Sequence, residues 1–156
     1  MIVSPDSFLY TPDGTYLWSV ARVKQAWADA KVSFDRALAI NGAFTKVVLL
    51  MGVPAAGKST WLSENARPDV LHFDATFALP QWREPWIKAA RAAGVPVEIV
   101  WIDTPLTLCI ERNAARSADR AVPEDTMRAM HSKITSSPPT EAEGATINRV
   151  VYGGVA

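Results

Sequence analysis

One stretch of the chain combines two glycines, a lysine and a serine at a spacing that suits phosphate binding. It reads Gly52-Val53-Pro54-Ala55-Ala56-Gly57-Lys58-Ser59 and satisfies the pattern G-x-x-x-x-G-K-[ST] in full. The glycines let the backbone turn so that its N–H groups converge on phosphate oxygens. Lys58 is expected to reach the β- and γ-phosphates, and Ser59 is expected to bind Mg²⁺. These residues predict a site for ATP, or another nucleoside triphosphate, together with Mg²⁺.

The segments on both sides of this loop match the setting that phosphate-binding loops require. Residues 47–51 form a continuous apolar run, as in a parallel strand that is covered on both faces. A helix is expected over residues 59–65, and the dipole at its N-terminus would favour bound phosphate. A chance glycine-rich turn would lack both flanks, so this loop is the strongest functional signal in the chain.

Further apolar patterns predict the remaining elements. Short apolar runs predict strands over residues 70–73, 97–102 and 147–152, whereas Ile2 and Val3 are too few to define a strand alone. Apolar positions at helical spacing predict helices over residues 19–39, 81–93, 104–117 and 123–135. In the second of these helices, Trp82 and Trp86 are expected to face inward. The alternation predicts an α/β fold: a P-loop NTPase/kinase-like sandwich with a mainly parallel sheet flanked by helices.

Composition limits the class of protein. A chain of 156 residues suits one domain, and sixteen basic and sixteen acidic side chains cancel, so no overall field attracts nucleic acid or anionic membrane. No apolar run reaches the roughly 18–20 residues that span a bilayer, and the first residues lack the pattern of a signal peptide. Cys109 is the single cysteine, so an intrachain disulfide is excluded. We therefore expect a cytoplasmic protein without membrane contact.

Two arginines beyond the strand at 97–102 are candidates for a lid over the nucleotide. Arg112 and Arg116 are four residues apart, so one helix face would carry both. Guanidinium groups bind phosphate oxygens bidentately, and their charge does not titrate. The same pair fits equally well a solvated basic face that pairs with Glu111.

Two segments resemble the P-loop polynucleotide kinases of the bacteriophage type and their relatives. GVPAAGKSTW, residues 52–61, is similar to that family's loop, and residues 97–134 are similar to its fourth strand, arginine lid and following helix. The resemblance implies that Arg112 and Arg116 bind the donor phosphates, and that Lys58 and Arg116 act in catalysis. The expected nucleotide-binding residues are therefore Gly52, Pro54, Ala55, Ala56, Gly57, Lys58, Ser59, Thr60, Arg112 and Arg116.

The order of the segments departs from that family. Residues 2–27 resemble the family's acceptor-binding section, which there follows the P-loop, and residues 70–94 resemble its next strand and helix. The resemblance thus implies a rearranged, permutation-like order, with the first strand inserted beside the P-loop strand. The units expected within one domain are an acceptor-side strand and helix (1–45), the P-loop unit (46–66), core strands and helix (67–104), the arginine lid and helix (105–135) and a C-terminal strand (136–156).

Two aspartates at strand ends are candidates for the carboxylate that accepts a proton from an acceptor hydroxyl. Asp74 directly follows the strand at 70–73, and linear spacing alone favours it. The resemblance instead matches Asp6 to the family's catalytic aspartate. Asp6 is therefore expected to be the general base, and Asp74 is expected to help Ser59 hold Mg²⁺. For both aspartates the alternative is a cap on a helix or turn.

The acceptor is less well defined than the donor. The family carries an arginine three residues after its catalytic aspartate, and here the corresponding residues are Leu9 and Phe77. The resemblance favours the 5′-hydroxyl of a polynucleotide or nucleotide. The missing arginine and the neutral net charge favour a small alcohol, such as a modified nucleoside, a sugar or an antibiotic. Aromatic residues such as Tyr10 and Tyr16 fit base stacking or a core role. A nucleotide-binding module without turnover is a third hypothesis.

Several conspicuous residues have structural explanations. Thr104 and Pro105 are expected to begin a helix, and Asp103 is expected to cap it. His72 lies in an apolar strand, as a core histidine with satisfied hydrogen bonds would. Trp18 is expected in the core.

Overall fold

The computed structural model describes residues 1–152, and its centre is a five-stranded sheet in which all strands run parallel. The strands are β1 (Ile2–Val3), β2 (Lys46–Met51), β3 (Val70–Asp74), β4 (Val97–Asp103) and β5 (Thr146–Val151). Their order across the sheet is β1-β3-β2-β4-β5. The predicted α/β class with a parallel sheet is thus confirmed. The last residues of the expected unit 136–156, from 153 onward, lie outside the described residues.

Helices connect the strands, as parallel pairing requires. They are α1 (Val20–Leu38), α2 (Lys58–Asn65), α3 (Pro80–Ala92), α4 (Leu106–Ala114) and α5 (Glu124–Ser136), with short 3₁₀ helices at Pro5–Leu9 and Glu141–Glu143. The predicted helix over 104–117 is wrong at its C-terminal end. The side chain of Asn113 bonds the backbone N–H and C=O of Val122 at 3.0 and 2.8 Å, so the chain turns away after α4.

The N-terminal strand does not lie beside the P-loop strand, so that part of the expected order is wrong. β2 pairs with β3 on one side and with β4 on the other, and both of its edges are therefore occupied. β1 instead adds to the outer edge of β3, with Ile2 opposite His72 and Val3 opposite Phe73. Since parallel strands end at the same edge of a sheet, the residues after β1 and β3 are neighbours.

An aromatic cluster packs α1 and α3 against the β3 side of the sheet. The ring centroids of Phe73 and Trp86 are 4.1 Å apart, and Phe34 lies 5.2 Å from Trp86 and 5.7 Å from Phe73. Each such pair contributes about 0.5–1.5 kcal/mol beyond the area that it buries. Because Phe73 directly precedes Asp74, this cluster fixes the point from which that carboxylate leaves the sheet.

His72 is buried in β3, as expected, but its hydrogen bonds are not all satisfied. Among the described residues, none provides a partner for its Nδ1 atom. Burial lowers the pKa of the imidazole below its ordinary value, which keeps the ring neutral in the core.

No helix within residues 1–152 is long and apolar enough to cross a membrane.

Candidate functional site

The loop between β2 and α2 has the backbone geometry that its glycines permit. Gly57 precedes α2 with φ 110°, a left-handed conformation that a side chain would strain, and Ala55 has φ 62° despite its Cβ. A Cβ on Gly52 would lie 2.8 Å from the carbonyl oxygen of Ile102 at the end of β4. The first glycine is therefore required by close approach of β4, and the second by the turn into the helix.

Hydrogen bonds tie the loop to itself and to the strand beside it. The Lys58 ammonium donates to the carbonyl oxygens of Gly52 and Val53 at 3.0 and 3.2 Å. The Gly52 N–H donates to the carbonyl oxygen of Thr76, at 3.4 Å, in the segment that follows β3. The lysine thus lies along the loop, within the same cleft as Ser59.

Thr104 contacts the loop rather than capping α4, so the predicted cap is wrong. Its hydroxyl donates to the carbonyl oxygen of Ala56 at 2.7 Å, and the side chain is buried. α4 begins after Pro105 without a side-chain cap. Asp103 is not a cap either, because its carboxylate accepts from Arg149 Nε of β5 at 2.8 Å. Ile102 and Thr104 together hold the loop from the β4 side.

A cleft of about 1360 Å³ opens at the ends of the strands and gathers most of the predicted site residues. The predicted residues that line it are Asp6, Pro54, Ala55, Gly57, Lys58, Ser59, Thr60, Asp74, Arg112 and Arg116. Gly52 and Ala56 belong to the loop but do not line the cleft, and Ala56 is buried. Residues from four separate chain segments therefore meet in one cleft.

The two candidate carboxylates have different surroundings. Asp6 is exposed at the start of the 3₁₀ helix after β1. Asp74 ends β3, and its buried Oδ1 atom has no hydrogen-bond partner among the described residues. Burial raises the pKa of the Asp74 carboxyl above its ordinary value, the Lys58 ammonium opposes that rise, and the Asp6 carboxylate adds to it. The Asp6 and Asp74 carboxylates therefore lie close enough to interact, and Asp74 also interacts with the Lys58 ammonium.

The lid arginines reach the cleft, although not from one helix face. Arg112 lies in the last turn of α4, and its Nη1 atom is 4.0 Å from the position that a Cβ on Gly57 would take. Arg116 lies beyond the end of the helix, in the turn that leads to α5. The prediction that one helix face carries both Arg112 and Arg116 is thus wrong. Arg120 also lines the cleft, and its guanidinium lies 5.8 Å from the ring centroid of Tyr10.

Magnesium fits the residues at the β3 side of the loop. Among residues 1–152, no group of three or more His, Cys, Asp or Glu side chains is arranged to hold a metal ion. Mg²⁺ typically needs only one or two carboxylates, completed by water and substrate phosphates. The buried, unbonded oxygen of Asp74 and the hydroxyl of Ser59, which lines the same cleft, meet that requirement.

Two residues that support the site carried no signal in the sequence. Tyr152 lies just past β5, and its ring would be 3.7 Å from a Cβ on Gly57, so it covers the loop from the β5 side. Arg83 of α3 is fully buried and pairs bidentately with Glu143 at 2.7 Å. Its Nη1 atom also donates to the carbonyl oxygen of Phe77 at 2.8 Å, which fixes the left-handed turn after Asp74. An arginine in an amphipathic helix ordinarily predicts a surface position.

The predicted positions of two tryptophans are also wrong. Trp82 was expected inward on α3 but is 40% exposed, because Arg83 takes the inward position next to it. Trp18 was expected in the core but is 65% exposed and lines the cleft. The two positions at which the resemblance would place an arginine are buried: Leu9 is 2% and Phe77 1% exposed.

The parallel sheet, the glycine-bounded loop and the helix that follows it define a P-loop NTPase-like domain. In agreement, the model of a family described as an AAA domain matches residues 64–137, somewhat less than half of the chain. That family is P-loop NTPase-like and includes kinases. The match begins within α2, after the loop, and continues through β3 and β4 to the end of α5. No curated protein matches the chain.

Proposed function

We propose that the protein is a phosphotransferase that moves the γ-phosphate of ATP, or of another nucleoside triphosphate, to a hydroxyl group. The observation that carries this proposal is the single cleft, in which a P-loop, two carboxylates and several arginines meet. A binding module needs the loop, its helix and a side chain that helps to hold Mg²⁺. It does not need a second carboxylate in the same cleft, such as that of Asp6.

The donor nucleotide would lie along the loop between β2 and α2. Backbone N–H groups and Lys58 would bind the β- and γ-phosphates, and the N-terminus of α2 would add a favourable dipole. Arg112 and Arg116 would approach the γ-phosphate from the β4 side, where their charge would stabilise the transferring group. Thr60 is expected to take part in binding because it lines the cleft next to Ser59.

The acceptor would enter from the β1 and β3 side. Asp6 would accept the proton of the hydroxyl while the oxygen forms a bond to the γ-phosphorus and the bond to the β–γ bridging oxygen breaks. The nucleoside diphosphate would leave with that oxygen. Asp6 suits this role because its carboxylate is exposed to the cleft, whereas Asp74 is partly enclosed beside the loop.

Ser59 and Asp74 would hold Mg²⁺, which neutralises charge on the phosphate oxygens when bound. The raised pKa of Asp74 fits a carboxylate whose charge is balanced only once a cation is present. The residues on this side would therefore select and align the donor, and Asp6 would align the acceptor.

The resemblance favours the 5′-hydroxyl of a polynucleotide or nucleotide as the acceptor, within a permutation-like order of segments. A specific observation favours the second candidate, a small alcohol. Leu9 and Phe77 stand where that family has its acceptor-phosphate arginine, and both are buried in the core. Neither position can therefore supply a cation to a phosphate of the acceptor.

Asp6→Asn tests the proposal. We expect transfer of labelled γ-phosphate to fall by about 10²–10⁴-fold, the contribution typical of a general base. Mg²⁺-dependent binding of the nucleoside triphosphate, measured by calorimetry, should remain. Asp35→Asn is the matched control, because Asp35 is exposed on α1 and outside the cleft.

Two outcomes would contradict the proposal. Wild-type protein that binds the triphosphate but transfers phosphate to no alcohol would be a binding module. Full transfer by Asp6→Asn would remove Asp6 from the base role.

A further inference from the structure

The half of the cleft on the β1 and β3 side is built from two chain segments that the sheet brings together. One is residues 5–27, after β1, and the other is residues 74–86, after β3. Six aromatic side chains from these segments line the cleft: Tyr16, Trp18, Trp27, Phe77, Trp82 and Trp86. We call this surface the aromatic half. It lies on the side of the P-loop away from β4 and β5.

The aromatic half carries no basic side chain among the described residues that line the cleft. Its charged residues are Asp6 and Asp74, both acidic. The basic residues of the cleft come from the P-loop and from the segment after β4, namely Lys58, Arg112, Arg116 and Arg120. An anionic acceptor would therefore face two carboxylates, and the cation that borders the aromatic half is Arg120, which lies 5.8 Å from the ring centroid of Tyr10.

Trp18 leaves a large apolar surface uncovered where it lines the cleft, whereas the ring of Trp82 has the Lys133 ammonium 5.4 Å from its centroid. The backbone beside Trp18 is fixed, since the Ser19 hydroxyl accepts from the N–H of Arg22 at 3.2 Å and caps α1. Arg22 Nε also donates to the carbonyl oxygen of Leu17 at 3.0 Å. An exposed aromatic ring on a fixed backbone is preorganised to bind a flat apolar group.

The size of the cleft leaves room for a second ligand beside the nucleotide. About 1360 Å³ exceeds the roughly 300–1,000 Å³ of a site for one small molecule. We infer that the acceptor is a small, uncharged alcohol that carries a planar ring, and that Trp18 binds this ring. This assignment rests on the proposed function, because the hydroxyl must be presented to Asp6.

The first experiment compares acceptors with wild-type protein. The first group of probes is the four ribonucleosides and 2-phenylethanol, which are uncharged and carry a planar ring. The phosphate-bearing probes are the 3′-monophosphate of each nucleoside and a 5′-hydroxyl oligonucleotide. Methyl ribofuranoside is uncharged but lacks the planar ring. We expect kcat/KM to be at least tenfold higher for an uncharged planar alcohol than for any phosphate-bearing or ring-free acceptor. A preference for the 3′-monophosphates, the oligonucleotide or methyl ribofuranoside would overturn the inference.

The second experiment assigns the binding to Trp18. Trp18→Ala should raise the KM of the best acceptor by roughly tenfold or more, as loss of a stacking partner does. Trp18→Phe should restore most of that loss, because a smaller ring still stacks. Val20→Ala is the matched control, since Val20 is exposed two residues away and does not line the cleft. Equal KM values for Trp18→Ala and Val20→Ala would overturn the inference.

A binding assay separates failure of this inference from failure of the proposed function. Uncharged planar alcohols should quench tryptophan fluorescence without any nucleotide, and Trp18→Phe should lose that quenching. Absence of transfer to every acceptor would refute the proposed function. Absence of quenching that depends on Trp18 would refute this inference, whatever the transfer assay shows.

Discussion

The two halves of the cleft are built on different principles. On the donor side, the P-loop is held by backbone contacts: Gly52 lies against the carbonyl oxygen of Ile102, and the Thr104 hydroxyl donates to the carbonyl oxygen of Ala56. In the aromatic half, the surface consists of side chains: six aromatic residues, of which Trp18 and Trp82 are exposed, and two carboxylates. Contacts to the backbone restrict which residues can occupy a position, whereas a surface made of side chains changes with each substitution.

This difference explains why one ligand is easier to identify than the other. Triphosphates present the same oxygens in every nucleotide, so a fixed array of N–H groups with one lysine suits them all. Acceptors differ in shape and charge, and the residues proposed to bind one come from segments far apart in the chain. The P-loop side of the cleft therefore indicates a class of protein, and the aromatic half is the part from which a substrate is proposed.

On the P-loop side of the cleft, the largest effect should follow from replacing Lys58. Lys58→Met removes the ammonium that is expected to stabilise charge on the transferring phosphate. We expect kcat/KM for the nucleoside triphosphate to fall by about 10²–10³-fold, as on removal of one hydrogen-bond donor that stabilises the transition state. The measurement is transfer of labelled γ-phosphate at saturating acceptor.

Lys88→Met provides the control for this change. Lys88 is an exposed lysine of α3 that pairs with Glu84 and lies outside the cleft. A comparable loss in both variants would mean that the effect of Lys58 is not local to the site.

A smaller effect should separate the two halves. Thr104→Val keeps the shape of the side chain but leaves the carbonyl oxygen of Ala56 without its buried donor, at a cost of about 1–3 kcal/mol. Part of that cost should appear as weaker nucleotide binding, by up to about tenfold, since 1.4 kcal/mol corresponds to a factor of ten. The KM of the acceptor should not change. Calorimetric titration and steady-state kinetics measure the two quantities.

Thr104→Ser is the matched variant because it retains the hydroxyl. It should bind nucleotide nearly as tightly as wild type. Equal weakening in Thr104→Ser and Thr104→Val would show that packing, rather than the hydrogen bond to Ala56, supports the loop.

The smallest effect is a change in stability on replacing Asp74, which lies between the P-loop and the aromatic half. In Asp74→Asn the buried carboxylate is replaced by a neutral amide, so the free energy of unfolding at neutral pH should rise by about 1 kcal/mol. The melting temperature should rise by about 2–4 °C. Thermal unfolding measures this gain, and Asp35→Asn, on exposed α1 surface, should show none.

The gain should depend on pH with a definite sign. The folded-state pKa of Asp74 is raised, so in acid the folded protein takes up a proton before the unfolded chain does. Wild type therefore recovers stability as pH falls through that raised pKa towards the ordinary value of 3.8, and the advantage of Asp74→Asn should shrink. An advantage that stays constant over this range would mean that the Asp74 charge is not the cause.

Most of the fold followed from the sequence because its signals were strong locally. The buried strands β2, β3 and β4 are continuous apolar runs, and the P-loop is defined by its own spacing. β1 was harder to place because two residues form no pattern, and its neighbour is decided by which strand has an unoccupied edge.

The errors at the site arose where tertiary contacts override local pattern. Trp82 and Arg83 exchange the expected positions because Glu143 and the carbonyl oxygen of Phe77 satisfy a buried guanidinium. Thr104 resembles a helix cap, whose oxygen would accept from a backbone N–H, yet its hydroxyl instead donates to the carbonyl oxygen of Ala56. Trp18 is exposed because the neighbouring segments of the fold do not cover it. A short stretch of sequence carries no information about those contacts.

The pairing of β1 with β3 has a consequence for how the chain assembles during synthesis. β1 is synthesised before the P-loop and α2, whereas its hydrogen-bonding partner β3, in which His72 lies opposite Ile2, is synthesised after them. Contacts between residues so distant in sequence form late, because closing the intervening loop costs entropy. The phosphate-binding centre can therefore form first, and Asp6 reaches its place when β1 docks. Before it docks, β1 exposes the unpaired backbone N–H and C=O groups of only two residues, which limits its pairing with other chains.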